Sequence, residues 1–451
     1  MQEKKFLSFH ELIAVGSLLF GMLFGAGNLI FPPILGQNAG ASYVPAALGF
    51  LVTAVGLPVL AIISFALSRK TTLRGYAERA GKGFGLAFSL LLLLSIGPFF
   101  AIPRNTTVAF TIGIAPLIQG EQSLYLFFYS LAFFLFVLVF SLRPSKILDV
   151  VGKVMAPLFI LLIALLILKN LFMPMGNPAQ FPVQEAYAIP FEKGVLDGYQ
   201  TMDVLACLAF GITIITNIQL LGVKDSRRSA AETAKSSVFS LVVMSLIYFG
   251  LSYLGASCQG SMEAQQNGGE ILVRASLHHF GTFGQILLAL TITIACLKTA
   301  IGLVVSLSQT FVKFFPNGPR DKTWSYLFVI IGFIFANFGL NTIIQLSLPV
   351  LMFLYPLSIT LIALWLLDAI LPLSDKAFVI TIILAIIPAL FDFLAACPAV
   401  ISQSTWAKSL LSLPEGILPL YALGLGWLLP VGLGLVISAV FLRAPKAAKT
   451  V

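Results

Sequence analysis

Asp203, Lys298 and Arg104 each stand inside a run of apolar residues. A charge so placed is costly and is usually kept for function. Asp203 lies in Gly198-Tyr-Gln-Thr201-Met202-Asp203-Val-Leu-Ala206-Cys207-Leu-Ala-Phe210-Gly211, several residues inside the run. Two readings stand for it: a working carboxylate at bilayer depth, or a residue near the interface that water reaches from Asp197. Lys298 occupies Ala295-Cys296-Leu297-Lys298-Thr299-Ala300. A desolvated lysine has a lowered pKa and can exchange a proton near neutrality. Its rival roles are a structural ion pair with Asp203 or a side chain that snorkels to the cytoplasmic face. Arg104 follows Pro103 and either lines an outer vestibule or ends a helix near the interface.

A second pattern is Gly21-Met-Leu-Phe24-Gly25-Ala26-Gly27-Asn28-Leu-Ile-Phe31-Pro32-Pro33. Glycines weaken a helix, and two prolines remove two amide donors. The reading is a helix broken in mid-membrane, which frees backbone groups that lipid cannot satisfy. Freed carbonyls suit a monovalent cation or an ammonium, and the resumed half-helix offers its N-terminus to a carboxylate. Gly21 and Gly25 alone would equally suit a close helix–helix contact. The segment around Asp203 is the counterpart break.

Other chemistries find no residues to carry them. Neither HExxH nor GxSxG occurs, and none of His10, His278 and His279 lies at bilayer depth. Cys207, Cys258, Cys296 and Cys397 show no metal-ligand spacing. The net charge of +9 is spread over short connections with no basic, aromatic-interleaved stripe, which argues against nucleic acid. An enzyme is therefore not expected. A channel more naturally takes pore-lining rings from a symmetric oligomer.

Such breaks need spanning helices to hold them. Hydrophobic residues are 59% of the chain and charged residues 10%, against about 25% in soluble domains. Long, unalternating apolar runs favour helices over a barrel. With about 20 residues per crossing, twelve segments qualify: 12–35, 43–68, 84–117, 123–142, 148–171, 195–221, 236–257, 280–311, 324–341, 342–368, 376–396 and 417–442. The first is read as an uncleaved helix, having no small-residue cleavage site. Of 27 Lys and Arg, 21 fall in the two terminal stretches and every second connection. The alternate connections hold four: Lys169, Lys193, Arg274 and Lys408. By the positive-inside rule both termini face the cytoplasm. The segments 172–194 and 258–279 are expected as solvated outer loops, the first irregular because of its four prolines. The breaks fall in the first and sixth spans, five apart, as two five-helix inverted repeats would place them. The expected fold is thus an all-α integral membrane protein of about twelve helices. Its parts are 1–11, a first repeat 12–171, a loop 172–194, a second repeat 195–368, two further helices within 369–442, and a tail 443–451.

Four segments, GMLFGAGNLIFPP, GPFFAIPRNT, GYQTMDVLACLAFG and ANFGL…PVLMFLYP, lie in order along nearly the whole chain. In them the chain resembles the branched-chain amino acid:cation symporter family, the system II carrier (BrnQ) type. The resemblance implies uptake of leucine, isoleucine and valine across a bacterial cytoplasmic membrane, driven by a sodium or proton gradient, on a LeuT-like fold. No cofactor beyond the coupling ion is implied, and the oligomeric state is left open. A G-x-x-x-G-x-G-N pattern marks the first helix of that fold, and Gly21, Gly25, Gly27 and Asn28 stand at its spacing.

Carried over, Asn28 supplies a side-chain oxygen to a cation near the substrate carboxylate, which faces the amides of Gly25 and Gly27. Carbonyls of Gly21 and Phe24 face a second cation site against span eight. Substrate contacts fall on Phe24, Gly25, Ala26, Gly27, Thr201, Met202, Asp203, Ala206 and Phe210. Cation contacts fall on Gly21, Phe24, Asn28, Asp203, Lys298 and Thr299. Family members often carry a Thr-Thr pair in span eight, where this chain has Lys298-Thr299. One consequence is an ammonium in the cation site, with protonation of Lys298 or Asp203 replacing one sodium. Phe24, Met202, Phe210, Phe99 and Phe100 are candidates for a dry side-chain pocket, each with ordinary packing as its rival role.

Overall fold

A computed structural model describes residues 6–118, 120–142, 146–259 and 263–443. The expected terminal stretches fall partly outside these residues. Helices follow each of the twelve expected segments, and no strand occurs among the described residues. The first segment is α1 (Phe9–Leu23) and α2 (Ala26–Ala39). Ser8 caps α1 by accepting the Glu11 amide, and the Glu11 carboxylate accepts the Ser8 amide at 2.8 Å. The second is α3 (Tyr43–Leu51) and α4 (Leu57–Ser68), joined by a wide turn at Val52–Gly56. A short α5 (Leu73–Ala77) leads to α6 (Lys82–Leu94) and α7 (Ala101–Gly113). These two are kinked where Gly97 leaves helical geometry and Pro98 has no amide to donate.

Then follow α8 (Gln122–Leu142) and α9 (Lys146–Phe172). The sixth segment is α10 (Pro190–Asp197), a tight turn at Gly198–Thr201, and α11 (Asp203–Leu220). Next come α12 (Ser226–Cys258), α13 (Gly268–Phe314), α14 (Asp321–Ala336), α15 (Leu340–Ile370) and α16 (Asp375–Ala396). Short α17 (Ala399–Ser402) and α18 (Thr405–Glu415) precede α19 (Leu428–Phe441). Among the described residues eight helices, counting those that run on, are long and apolar enough to cross a bilayer; Phe9–Leu23, Leu158–Phe172 and Leu428–Phe441 are shorter apolar helices. The molecule is apolar outside as well as inside: Phe136 and Val139 of α8 are 56% and 58% exposed.

Three expectations change. The 258–279 segment is not all loop, because α13 starts at Gly268 and bends at Gly281, whose φ of 63° suits glycine. Asn267 caps it, and Ile271, Leu272 and Ala275 are fully buried, so an amphipathic stretch packs on the molecule. The ninth and tenth segments part at 337–339, where Gly339 has a φ of 82°. The twelfth helix starts at Leu428 rather than near 417, after a turn whose Leu420 and Gly424 both have positive φ.

The half-helices pack crosswise. Both α1 and α2 lie on α12, while α10 lies on α3 and α11 on α4. Glycine allows the close approach: a β-carbon on Gly255 would stand 1.9 Å from the Pro33 carbonyl oxygen, and one on Gly194 the same distance from that of Ala46. These contacts fix the two broken segments against their neighbours.

Candidate functional site at the two helix breaks

The chain leaves helical geometry at Phe24 and Gly25, which are extended, before α2 resumes. The Gly25 amide donates to Asn28 Oδ1 at 2.9 Å. In a continuous helix that amide would satisfy the Gly21 carbonyl, which here loses its usual donor. The second break turns at Met202, a buried non-glycine residue with a φ of 63°. Such a conformation costs of order 1–3 kcal/mol and is typical of functional sites. It sets Asp203 at the first position of α11, where the helix dipole favours a carboxylate.

One side chain links the breaks. Asn28 Nδ2 donates to Asp203 Oδ2 at 2.7 Å and also to the Tyr248 hydroxyl of α12. Tyr248 in turn donates to Asp203 Oδ2 at 3.3 Å. Donor must meet acceptor on both sides of the amide, which fixes its orientation. All three residues are buried, Asp203 at 2% exposure. Asn28 Oδ1, expected on a cation, here receives the Gly25 amide and keeps one lone pair for another donor or ion.

Arg104 stands in the first turn of α7, just past the kink at Gly97 and Pro98. It is 4% exposed on α7 and reaches the second break, where Nη1 donates to the Gln200 carbonyl at 2.7 Å and Nη2 to that of Thr201 at 3.4 Å. The carbonyls of the second break are thus met by a guanidinium, whereas the carbonyls expected to face a cation, those of Gly21 and Phe24, belong to the first break. Its other flank is Gly27: a β-carbon there would be 2.8 Å from Nη2. Phe31 lies beneath it, 5.3 Å from the guanidinium carbon to the ring centroid.

The remaining expected residues divide. Thr299 faces the first break, with its methyl 4.0 Å from where a Gly25 β-carbon would be. Lys298, the next residue, is exposed, and among the described residues no ion pair joins it to Asp203. Lys298 therefore lies off the face that Thr299 presents to the first break, because successive helical residues diverge by about 100°. Gly21 is exposed with nothing within 4 Å of a would-be β-carbon, so it makes no close helix contact. The Phe24 ring stacks with Phe20 at 5.0 Å and lies 6.4 Å from Tyr248. Ala26 and Gly27 are buried at the start of α2, as is Thr201 before the second break; Ala206 and Phe210 are half-buried on α11. Phe100 is buried, but Phe99 packs 5.2 Å from Phe335 of α14 and so belongs to that contact. Tyr248 was not anticipated. Nothing in its local pattern separates it from the other aromatic residues of α12.

The sequence model of the branched-chain amino acid transport protein family matches residues 8–444. The branched-chain amino acid permease BrnQ of Lactobacillus delbrueckii subsp. lactis is 43% identical over 434 residues, 96% of each chain. The branched-chain amino acid transport system 2 carrier protein of Pseudomonas aeruginosa is 39% identical over 437 residues, 95% of each. Among solved structures, MhsT in complex with L-phenylalanine aligns with a TM-score of 0.55 at 15% identity, covering 97% of this chain and 99% of the other. The inward-facing conformation of Mhp1 aligns with a TM-score of 0.61 at 14% identity, covering 94% and 90%. The fold is thus the LeuT-like transporter fold, and the named relatives are permeases and carriers rather than enzymes. With a match across nearly its whole length, the chain belongs to the branched-chain amino acid transport protein family.

Proposed function

We propose that this protein imports leucine, isoleucine and valine across the bacterial cytoplasmic membrane, coupled to sodium or protons, by alternating access around the two breaks. The observation that carries the proposal is the buried Asn28–Asp203 bridge, which joins the first turns of the two resumed half-helices, α2 and α11. A zwitterion needs an anion receptor and a cation receptor within a few ångströms and a dry wall for its side chain. The start of α2 at Ala26 and Gly27 offers amides to a carboxylate, and the end of α1 at Gly21 and Phe24 offers carbonyls to a cation beside Thr299. Asp203 faces the ammonium or coupling ion, and Phe24, Met202, Ala206 and Phe210 bound the aliphatic side chain. A proton carried by Asp203 or Lys298 is the alternative to a second sodium. The relatives' names support the substrate class. Discrimination among the three substrates is expected to be shallow, since one methylene is worth about 1–3 kcal/mol.

Reconstituted uptake tests the proposal. Labelled leucine should accumulate above its equilibrium level when an inward sodium or proton gradient is imposed separately, and unlabelled isoleucine and valine should compete. Equilibration without accumulation under either gradient would overturn coupled transport, and accumulation under one gradient alone would name the ion.

A further inference from the structure

We propose that Arg104 receives the substrate's carboxylate, and that it forms with Asp203 a matched pair for the two charges of an amino acid. The inference rests on the amino-acid reading above and gives its recognition a side chain. A guanidinium has five N–H donors in one plane. The two bonds to the Gln200 and Thr201 carbonyls use two of them, which leaves three. Those carbonyls are neutral, and the Asp203 carboxylate acts on the guanidinium only across the site, with no ion-pair contact between the two among the described residues. A charged partner in direct contact is what the fork lacks.

Position argues for an anion between Arg104 and α2. Gly27 is the second residue of α2, and Nη2 and Cζ lie 2.8 and 3.1 Å from where its β-carbon would be. The guanidinium therefore stands against the first turn of a 14-residue helix, where amides lack helical acceptors. Gly25 gives its amide to Asn28, so Ala26 and Gly27 are the amides that open toward a ligand. A carboxylate placed there meets both a planar fork and a helix N-terminus, each suited to it. The Phe31 ring beneath and the two carbonyls behind hold the fork in one orientation. At the other break the bonds from Asn28 and Tyr248 fall on Oδ2 and the Thr201 hydroxyl also lies beside the carboxylate, whose oxygens have two lone pairs each and so keep acceptor capacity for an ammonium.

Binding of leucine and leucinamide to the purified transporter separates these roles. Leucinamide keeps the ammonium and the side chain but loses the carboxylate charge. Wild type should bind leucine far more tightly than leucinamide. Arg104→Gln should weaken leucine about 10- to 100-fold, the scale of a lost charged hydrogen bond, and change leucinamide less than about threefold on the same scale. Arg104→Lys, with charge but no fork, should fall between. Gly27→Ala leaves the arginine in place and displaces its fork, so it should also weaken leucine selectively. Equal loss for both ligands in Arg104→Gln and Gly27→Ala, or no loss of leucine, would make Arg104 a structural plug and overturn the inference. A wild-type protein that binds no leucine would instead refute the substrate reading on which it stands.

Discussion

Lys298 is exposed in the middle of a helix flanked by apolar residues, and hydrocarbon is a poor environment for it. A lysine at the centre of a spanning helix costs about 2.5–3.5 kcal/mol on insertion scales. Its surroundings suggest water. Gly302, one turn on, has nothing within 4 Å of a would-be β-carbon, and Gln309 further along is exposed. On α11, Thr213, Thr216 and Gln219 are exposed as well. The expectation is that these residues line a wet path toward the breaks. Leu290, on the same helix, is 57% exposed but has an apolar outlook. In a background without native cysteines, Lys298→Cys should react with a membrane-impermeant thiol reagent at least about tenfold faster than Leu290→Cys, because the thiolate is the reactive species and lipid suppresses it. Equal rates would remove the wet path. At this scale the sequence exposed charges within apolar runs but not their partners. Asp203 and Asn28 stood out through spacing, whereas the place of Arg104 depends on which side of α7 faces the second break. That is a tertiary fact, as is the approach of Tyr248 from a helix far along the chain.

Helix pairs set the geometry of the breaks, and glycines set how closely the pairs approach. Gly194 on α10 faces the backbone of α3, where a β-carbon would lie 1.9 Å from a carbonyl oxygen that cannot turn aside. Gly194→Ala must therefore push α10 off α3 and disturb the turn that ends at Met202. Overpacking of this kind costs about 1–3 kcal/mol, and more where backbone must move. Gly302 is helical too, but it meets nothing, so Gly302→Ala should be neutral or gain about 0.5–1 kcal/mol from helix propensity. Thermal unfolding of the two variants in detergent should move in opposite directions or differ by several degrees; a Gly194→Ala protein as stable as wild type would refute the close contact. Both breaks were legible in sequence, since glycine, proline and a charge interrupt apolar runs there. The helical start of α13 was not. Its polar residues, among them His278 and Asn267, match a solvated loop until the apolar stripe of Ile271, Leu272 and Ala275 finds a surface to cover.

Across the whole molecule, apolar residues form both the interior and much of the surface, and charge is left to the connections. Side chains such as Phe136, Val139, Leu433 and Val436 lie more than half exposed, as a lipid solvent allows. The distribution of Lys and Arg, 21 against four in alternate connections, leads to the expectation that both termini face the cytoplasm. That assignment depends on an even number of crossings, and the shorter apolar helices carry the burden of it. Leu428–Phe441 has 14 residues, about 21 Å at 1.5 Å each, less than a hydrocarbon core of about 30 Å. It can cross only with local thinning or with its non-helical approach at 416–427 inside the membrane. Alkaline phosphatase, active only when exported, should therefore be active when fused at Asn177 and inactive when fused at Lys224 or after Val451. A cytoplasm-dependent fluorescent reporter should give the reverse pattern at the same points. Activity at both Asn177 and Val451, with Lys224 silent, would mean an odd number of crossings, and Leu428–Phe441 would be the first helix to lie along the membrane instead of through it.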